Sequence, residues 1–412
     1  MKHSRETGFV ALCCGVYFTS YLTRKCFEAS MLAICDDTGL ARTAAGLAGT
    51  ALVTLYGAGQ FVTGWLADRI DPRRIVLAAL LLTAACNAAM PFAVGGVAAL
   101  VALNALNGFA QAMFWPPLVK IVTASLTSER YKSAVFWINV AANAAIVAVF
   151  ALVSGCVRFA GWRWGFWLVA AAALAMAAAW GRLAGRAENN ARQTTTDARQ
   201  SIGGCSPTCR EACSASPLRA VSLLPVVGAI VCLGAMRDGI EAWAPGIVKD
   251  VYRLSTSGST LSVVLLPFFA VASMAAARSL RRRLGDEIRA ALALFAFGFV
   301  CAAALFASGG ASLASGLPLL ALLSASMHGA NLMLVCELPG RFAGGNRVGT
   351  ISGILNAAVY VGAALSVYGF AALHARFDGW TPVFALWAVV LAGGIALLAF
   401  ALRICQRPKN VP

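Results

Sequence analysis

Charged side chains are scarce in this 412-residue chain: Asp, Glu, Lys and Arg make up 12% of it, where a soluble domain carries about 25%. Acidic residues are the rarer sign, 17 against 33 basic, and histidine occurs three times. So few charges cannot coat a soluble multidomain protein or keep a disordered chain solvated. No P-loop, H-E-x-x-H or G-x-S-x-G elbow is present, so neither an ATP-driven pump nor a membrane hydrolase is indicated. The chain is read as a non-enzyme, with no catalytic residue, metal site or cofactor.

Cysteine is plentiful but carries little chemistry. The thirteen residues are an odd number, and most lie singly in apolar runs, as Cys13, Cys86, Cys232, Cys301 and Cys336 do. Small apolar Cys is packing material, so no disulfide framework follows. Cys205, Cys209 and Cys213 recur every four residues in a polar stretch without histidine beside them, and reduced cytoplasmic thiols fit better than a metal or redox site. His3, His328 and His374 form no cluster in the sequence.

What the chain does have is apolar length. Hydrophobic residues make up 60% of it. Twelve membrane helices of about 20 residues would take up roughly 240 positions. Segments long enough to span a bilayer fall at about 8–34, 43–66, 75–94, 97–126, 134–157 and 162–184, then at 220–248, 257–280, 288–309, 314–339, 347–373 and 380–404. The first has a charged start like a secretion signal, but no small-residue cleavage site follows, so it is read as a retained helix. The fold class expected is an all-α integral membrane protein, twelve transmembrane helices in two pseudo-symmetric bundles. Residues 1–185 form one bundle, 219–412 the other, and the polar stretch 186–218 reads as a flexible cytoplasmic linker.

The net charge of +16 then becomes topology rather than a nucleic-acid footprint. With both termini in the cytoplasm, 23 of the 33 Lys and Arg fall in the termini and the even-numbered connections, and six face the other side. That asymmetry sets the orientation by the positive-inside rule, in the cell membrane. Lys120 and the linker arginines are expected to meet lipid headgroups and water.

The two halves repeat each other. Arg24-Lys-Cys-Phe-Glu28-Ala29 in span one returns 213 residues later as Arg237-Asp-Gly-Ile-Glu241-Ala242 in span seven. The same offset carries the charged turn Asp68 to Arg74 onto Arg281 to Glu287, and Asn143 onto Asn356. Duplicated units of this kind build many secondary transporters, with the substrate site at the repeat interface. A mid-span Arg costs about 2.5–3.5 kcal/mol on insertion scales, so Arg24 and Arg237 need a cavity or a partner. Glu28 and Glu241, four residues on, allow intrahelical ion pairs. The alternative is an anion clamp, because the guanidinium fork donates two parallel hydrogen bonds to an oxyanion. Tyr17 and Tyr21 share the Arg24 stripe. Asn139 and Asn143 share one face of span five, open to substrate or to a neighbouring helix. Trp115 before Pro116 and Pro117 marks a bend or a kink in span four.

After span two comes Gly64-Trp-Leu-Ala-Asp68-Arg69-Ile-Asp-Pro72-Arg73-Arg74. Gly64 permits close helix approach, Asp68 can pair with basic groups on neighbouring helix ends, and Pro72 enforces a turn. This stretch resembles the signature loop of the major facilitator superfamily, and its Asp-Pro-Arg ending resembles the organophosphate:phosphate antiporters, the glycerol-3-phosphate and hexose-phosphate transporters and related sensors. Tyr21-Leu-Thr-Arg24-Lys25, Gly108-Phe-Ala-Gln111-Ala-Met-Phe-Trp115-Pro116-Pro117, Trp137-Ile-Asn139-Val-Ala-Ala-Asn143, Arg237-Asp-Gly239-Ile-Glu-Ala-Trp243-Ala-Pro245 and Gly349-Thr350 extend the resemblance over about residues 8–404. It implies that Arg24 and Arg237 bind a substrate phosphate and that transport is rocker-switch exchange driven by a phosphate gradient. Gln60 stands where the glycerol-3-phosphate transporters carry Lys, and Ala142 where they carry His. Leu261-Ser-Val-Val-Leu-Leu-Pro-Phe lacks their acidic residue. These departures imply a less highly charged anion or another coupling ion. The second copy of the loop is degraded to Ala277-Arg-Ser-Leu-Arg-Arg-Arg-Leu-Gly285.

The expected function is therefore a monomeric secondary transporter of a small organic or phosphorylated anion. Arg24, Arg237, Tyr17, Tyr21, Gln60, Asn139, Asn143 and Asn356 are the expected substrate-binding residues. Glu28 and Glu241 serve pairing or coupling, and Gly64, Asp68, Arg69 and Arg73 form a gating loop. Its partners are that solute and the lipid bilayer. A ligand sensor built on the same fold, or a proton-coupled facilitator of a neutral or cationic compound, stays open.

Overall fold

In a computed structural model the chain is described over residues 2–40, 42–201, 217–253, 266–309, 312–342, 347–377 and 379–406. Among the described residues the regular structure is helical. In chain order the helices are α1 Lys2–Thr38, α2 Arg42–Ala67, α3 Pro72–Ala93, α4 Val97–Ala112, α5 Trp115–Ser125, α6 Ser128–Phe159 and α7 Trp162–Ser201. They continue with α8 Pro217–Tyr252, α9 Leu266–Leu284, α10 Glu287–Ser308, α11 Leu313–Asn331, α12 Val348–Phe377 and α13 Thr381–Gln406. A π-helical turn, Leu332–Glu337, and a 3₁₀ turn, Leu338–Phe342, extend α11.

Ten helical stretches among the described residues are long and apolar enough to cross a bilayer. The first expected span lies in α1, which carries Arg24, Lys25 and Glu28 along its length. The eighth, 257–280, falls partly outside the described residues. Cys205, Cys209 and Cys213 also lie outside them. Helix α7 continues through Ser201, well into the polar stretch read as flexible from residue 186. The Trp115-Pro-Pro motif ends one helix and starts another, because the two prolines remove amide donors that α4 would need to continue.

The chain divides into two compact units. Unit 1 is Met1–Ser214 with Pro339–Ala357, and unit 2 is Ala215–Leu338 with Ala358–Pro412. In unit 1 an apolar core of Leu22, Phe27, Ile34, Met90, Leu100, Val149, Trp162 and Phe166 joins α1, α3, α4, α6 and α7. A polar thread crosses that unit: Gln111 Nε2 donates to Thr23 Oγ1 at 3.0 Å and Thr83 Oγ1 at 2.9 Å, and Thr83 donates to Asn107 Oδ1 at 2.7 Å. These side chains are all buried, so each bond replaces one that water would have made. In unit 2, Gly234 of α8 and Gly362 of α12 let the two backbones touch, since a Cβ on either would overlap the opposing main chain at Val359 or Val231.

Asp71 caps α3 by accepting from Arg73 N at 3.0 Å, and Pro72 follows at N1. In the corresponding turn of unit 2, Asp286 caps α10, accepting from Ile288 N at 2.7 Å and Arg289 N at 3.0 Å. The capping logic survives where the rest of the second loop has diverged.

Candidate functional site

Arg24 in unit 1 is set among aromatic rings. Its guanidinium carbon lies 4.0 Å from the Tyr56 ring centroid and 5.5 Å from that of Tyr21. Tyr21 packs on Tyr17 at 5.2 Å, and Tyr17 packs on Trp115 at the same distance. Ring faces attract a cation through their quadrupoles, which favours placing the guanidinium between them. Glu28 is held at 2.6 Å by Lys25 rather than by the Arg24 expected from the i,i+4 spacing. Lys25 reaches Glu28 at i,i+3, and Arg24 leans toward α2.

Tyr56 is not among the residues expected from the sequence to bind substrate. The spacing holds a signal for it: Tyr56, Gln60 and Gly64 recur every four residues along α2, with Asp68 in the same register just past its end. Gln60 is fully buried, and neither its Oε1 nor its Nε2 has a partner among the described residues. Asn356 Nδ2 approaches the Tyr56 hydroxyl at 3.5 Å. Arg24 and Asn356 thus both meet Tyr56, and Tyr21 lies over Arg24 with Tyr17 packed behind it. Asn139 and Asn143 do otherwise: they donate back to their own helix, to Val135 O at 2.8 Å and Asn139 O at 2.9 Å. Asn143 and Asn356, matched in sequence, therefore have different hydrogen-bond partners.

Arg237 in unit 2 is held by polar groups. Its Nε and Nη2 donate to the two carboxylate oxygens of Asp238 at 2.7 and 3.1 Å, and its Nη1 donates to Asn331 Oδ1 at 2.9 Å. The pairing recorded for Arg237 is thus with the adjacent Asp238, while Glu241 pairs with His328 at 2.7 Å. His328 gave no signal in sequence, because its partner lies 87 positions away. His374 stacks on Trp380, centroid to centroid 4.2 Å, with Asp250 at 4.0 Å from its Nε2.

The loop after α2 is built around Asp68. Its oxygens accept from Gly349 N at 3.0 Å, Thr350 N at 2.7 Å and Thr350 Oγ1 at 2.6 Å, capping the α12 N-terminus in trans. Lys120 Nζ lies 3.4 Å from the same carboxylate and donates to Ala67 O at 2.8 Å. The expectation that Lys120 meets lipid headgroups is therefore wrong: it ties α5 to the end of α2. Gly64 has no room for a side chain, since a Cβ there would stand 2.6 Å from Gly349 O. Arg69 stacks over Trp65 at 3.7 Å. Arg73 grips Asp71 with Nε at 3.2 Å and Nη2 at 3.1 Å. Partial burial pushes the Asp71 carboxyl up, but the guanidinium and amide of Arg73 outweigh it and hold the group below its ordinary value.

The degraded second loop keeps a charge-swapped counterpart of Asp68 and Lys120. Arg281 Nε lies 3.1 Å from Glu337 Oε2, both buried, close enough for an ion pair though not aligned as a hydrogen bond. Among the described residues no group of three or more His, Cys, Asp or Glu is placed to hold a metal.

Comparison with known proteins gives the family. The chain is 32% identical over 146 residues to a glycerol-3-phosphate transporter of Bacillus subtilis, covering 34% of this chain and 32% of that protein. It is 29% identical over 164 residues to a probable hexose phosphate transport protein of Chlamydia muridarum, covering 39% and 35%. The matched stretches thus span about a third of those relatives' length. The solved structure of the proton:xylose symporter XylE shares the fold, with a TM-score of 0.74 at 15% identity over 98% of this chain and 96% of that one. The model of the Major Facilitator Superfamily matches residues 13–367, and with ten bilayer-length helices among its described residues this multi-pass membrane protein belongs to that superfamily.

Proposed function

We propose that the protein is a secondary active transporter of the cell membrane that moves a small organic or phosphorylated anion by alternating access, in exchange for phosphate. Arg24 and Arg237, one in each half at matched positions, carry this reading. A guanidinium in a membrane helix is retained for an anionic ligand or a fixed partner. Arg24 rests against tyrosine rings, and Arg237 shares its fork with Asp238 and Asn331, which an incoming oxyanion would replace.

Tyr21, backed by Tyr17, flanks Arg24, Asn356 reaches the Tyr56 that Arg24 stacks on, and Gln60 brings an amide one turn from Tyr56. Asn139 and Asn143 complete the substrate-binding set. Glu28 and Glu241 balance charge, and Gly64, Asp68, Arg69 and Arg73 form the loop that gates. In this reading twelve helices form bundles of residues 1–185 and 219–412, joined by 186–218. Both termini are cytoplasmic, the protein acts as a monomer, and the 23-to-six distribution of Lys and Arg supports that orientation. Similarity to carriers named for glycerol 3-phosphate and hexose phosphate supports a phosphorylated substrate.

The test is counterflow. Purified protein in phosphate-loaded vesicles should accumulate glycerol 3-phosphate, hexose 6-phosphate or a related small anion. Exchange with none of a broad anion panel, together with uptake of a neutral or cationic solute, would replace this reading.

A further inference from the structure

Thr23 and Arg24 are consecutive on α1, so their side chains leave the helix about 100° apart. Arg24 turns to Tyr56 of α2, and Thr23 turns to α4, where Gln111 Nε2 donates to its hydroxyl at 3.0 Å. The same amide donates to Thr83 Oγ1 of α3 at 2.9 Å. We propose that Gln111 is a positioning residue for anion binding: by holding Thr23 it fixes the rotation of α1, and with it the direction in which Arg24 presents its guanidinium. This deepens the anion reading above and rests on it.

The contact is built to stay in place. Thr23, Thr83 and Gln111 are all buried, so an amide that let go of a threonine would find no water in exchange. Both hydroxyl protons are already committed. Thr23 Oγ1 donates to Thr19 O at 3.1 Å and Ser20 O at 2.9 Å, and Thr83 Oγ1 donates to Asn107 Oδ1 at 2.7 Å. Each threonine therefore meets Gln111 as an acceptor, and the Gln111 amide supplies the two protons that such a pair needs.

Helix α4 is in turn fixed to the helix that carries Tyr56. Thr63 Oγ1 of α2 donates to the carbonyl of Ala112, the residue after Gln111, at 2.8 Å. A Cβ on Gly108 would overlap Leu52 O, and one on Gly59 would stand 2.7 Å from Ala112 Cβ. These contacts of α2, at Leu52, Gly59 and Thr63, bracket Tyr56. Gln111 thus joins α1 to a pair of helices that already holds Tyr56, and the 4.0 Å between Arg24 and the Tyr56 ring is set from both sides.

The matched positions of unit 2 lack this bond. At the 213-residue offset Thr23, Thr83 and Gln111 become Met236, Ala296 and Ser324, and the Ser324 hydroxyl has no partner among the described residues. There the guanidinium itself is gripped, by Asp238 and Asn331. Unit 1 instead carries a lock on the helix that bears its arginine.

The experiment is counterflow by the full-length protein in phosphate-loaded vesicles, with glycerol 3-phosphate, hexose 6-phosphate and inorganic phosphate as the outside anions. Gln111→Met keeps the side chain's length and strands neither threonine, since both hydroxyls still donate elsewhere. For whichever anion the wild type exchanges, this variant should raise the half-saturating concentration about three- to tenfold and leave the maximal rate within about twofold. Thr23→Val should do the same, and Thr23→Ser, which keeps the hydroxyl, should keep the wild-type value. Gln111→Met and Thr23→Val combined should be no worse than either alone, because they remove one contact. Ser324→Ala, at the matched place in unit 2, should change nothing. Should Gln111→Met fail to run as a single species on gel filtration, Thr23→Val against Thr23→Ser decides alone. Half-saturation within about twofold of wild type in Gln111→Met and Thr23→Val, or an equal rise in Thr23→Ser, overturns the positioning role and leaves the anion reading intact. A loss confined to the melting temperature overturns it as well. If the wild type exchanges none of these anions, the anion reading itself falls, and the inference with it.

Discussion

Replacing Asp68 with Asn should loosen the start of α12 specifically. The carboxylate accepts three hydrogen bonds from Gly349 and Thr350 and has Lys120 at 3.4 Å, with its side chain 7% exposed. Asparagine keeps one acceptor, turns an amide N–H₂ toward groups that are themselves donors, and removes the charge. Hydrogen bonds to a charged group contribute about 1.5–3 kcal/mol each, and an anion at a helix N-terminus about 0.3–2 kcal/mol. Allowing for the bond Asn retains, the net loss is about 3 kcal/mol. That corresponds to roughly a hundredfold faster hydrogen exchange if the first turn of α12 opens locally. The assay is exchange mass spectrometry in nanodiscs, following peptides that cover residues 347–357, with α4 and α10 peptides as internal controls. Exchange within about threefold of wild type over 347–357 would refute the trans-capping role.

Three more outcomes follow from the geometry. Gly353→Ala should lower thermal stability by about 1–3 kcal/mol, because its Cβ would overlap Gln60 O and sit 3.1 Å from Gly64 Cα, while Gly369→Ala, with open space around it, should not. Arg281→Leu should cost about 3–5 kcal/mol by removing a charge partner of the buried Glu337, and Glu337→Leu added to it should recover part of that, measured by thermal unfolding in detergent. Asp37, beyond the apolar part of α1, accepts from Trp162 Nε1 and Arg163 Nη1, both at 3.0 Å, and these bonds hold its carboxyl below the ordinary value. A depressed carboxyl stabilises above its unfolded value and loses that stabilisation as pH falls through the folded one. Trp162 emission should therefore change as pH drops below about 4, and Asp37→Asn should show that change already at neutral pH.

The sequence alone reached the family and both arginines, because a mid-span Arg, a twofold repeat and the Gly64 to Arg74 loop are written in contiguous residues. Partners set by tertiary geometry were not legible. Tyr56 meets Arg24 across helices, and its four-residue spacing with Gln60 and Gly64 is its trace in the sequence. Helical spacing allows Glu28 and Glu241 to pair with their arginines, yet Lys25 and His328 meet them, because side-chain reach and a neighbouring helix decide such pairs. Lys120 looked like a lipid contact for the same reason: nothing local announces Asp68, fifty-odd residues earlier. Asn139 and Asn143 were open to substrate or a neighbouring helix, and both donate to backbone carbonyls four residues before them, an option polar helical residues always have. Helix α7 outran its apolar stretch because Ala, Arg and Gln after residue 185 are good helix formers even where hydropathy ends.

The central claim is that the two matched guanidinium groups bind an anion through their forked donors. Counterflow of glycerol 3-phosphate and hexose 6-phosphate into phosphate-loaded vesicles, comparing wild type with Arg24→Lys and Arg237→Lys, tests it most directly. Lysine keeps the charge and loses the fork, so both variants should reach the membrane in normal amount and lose exchange. Wild-type exchange by both lysine variants would contradict the account.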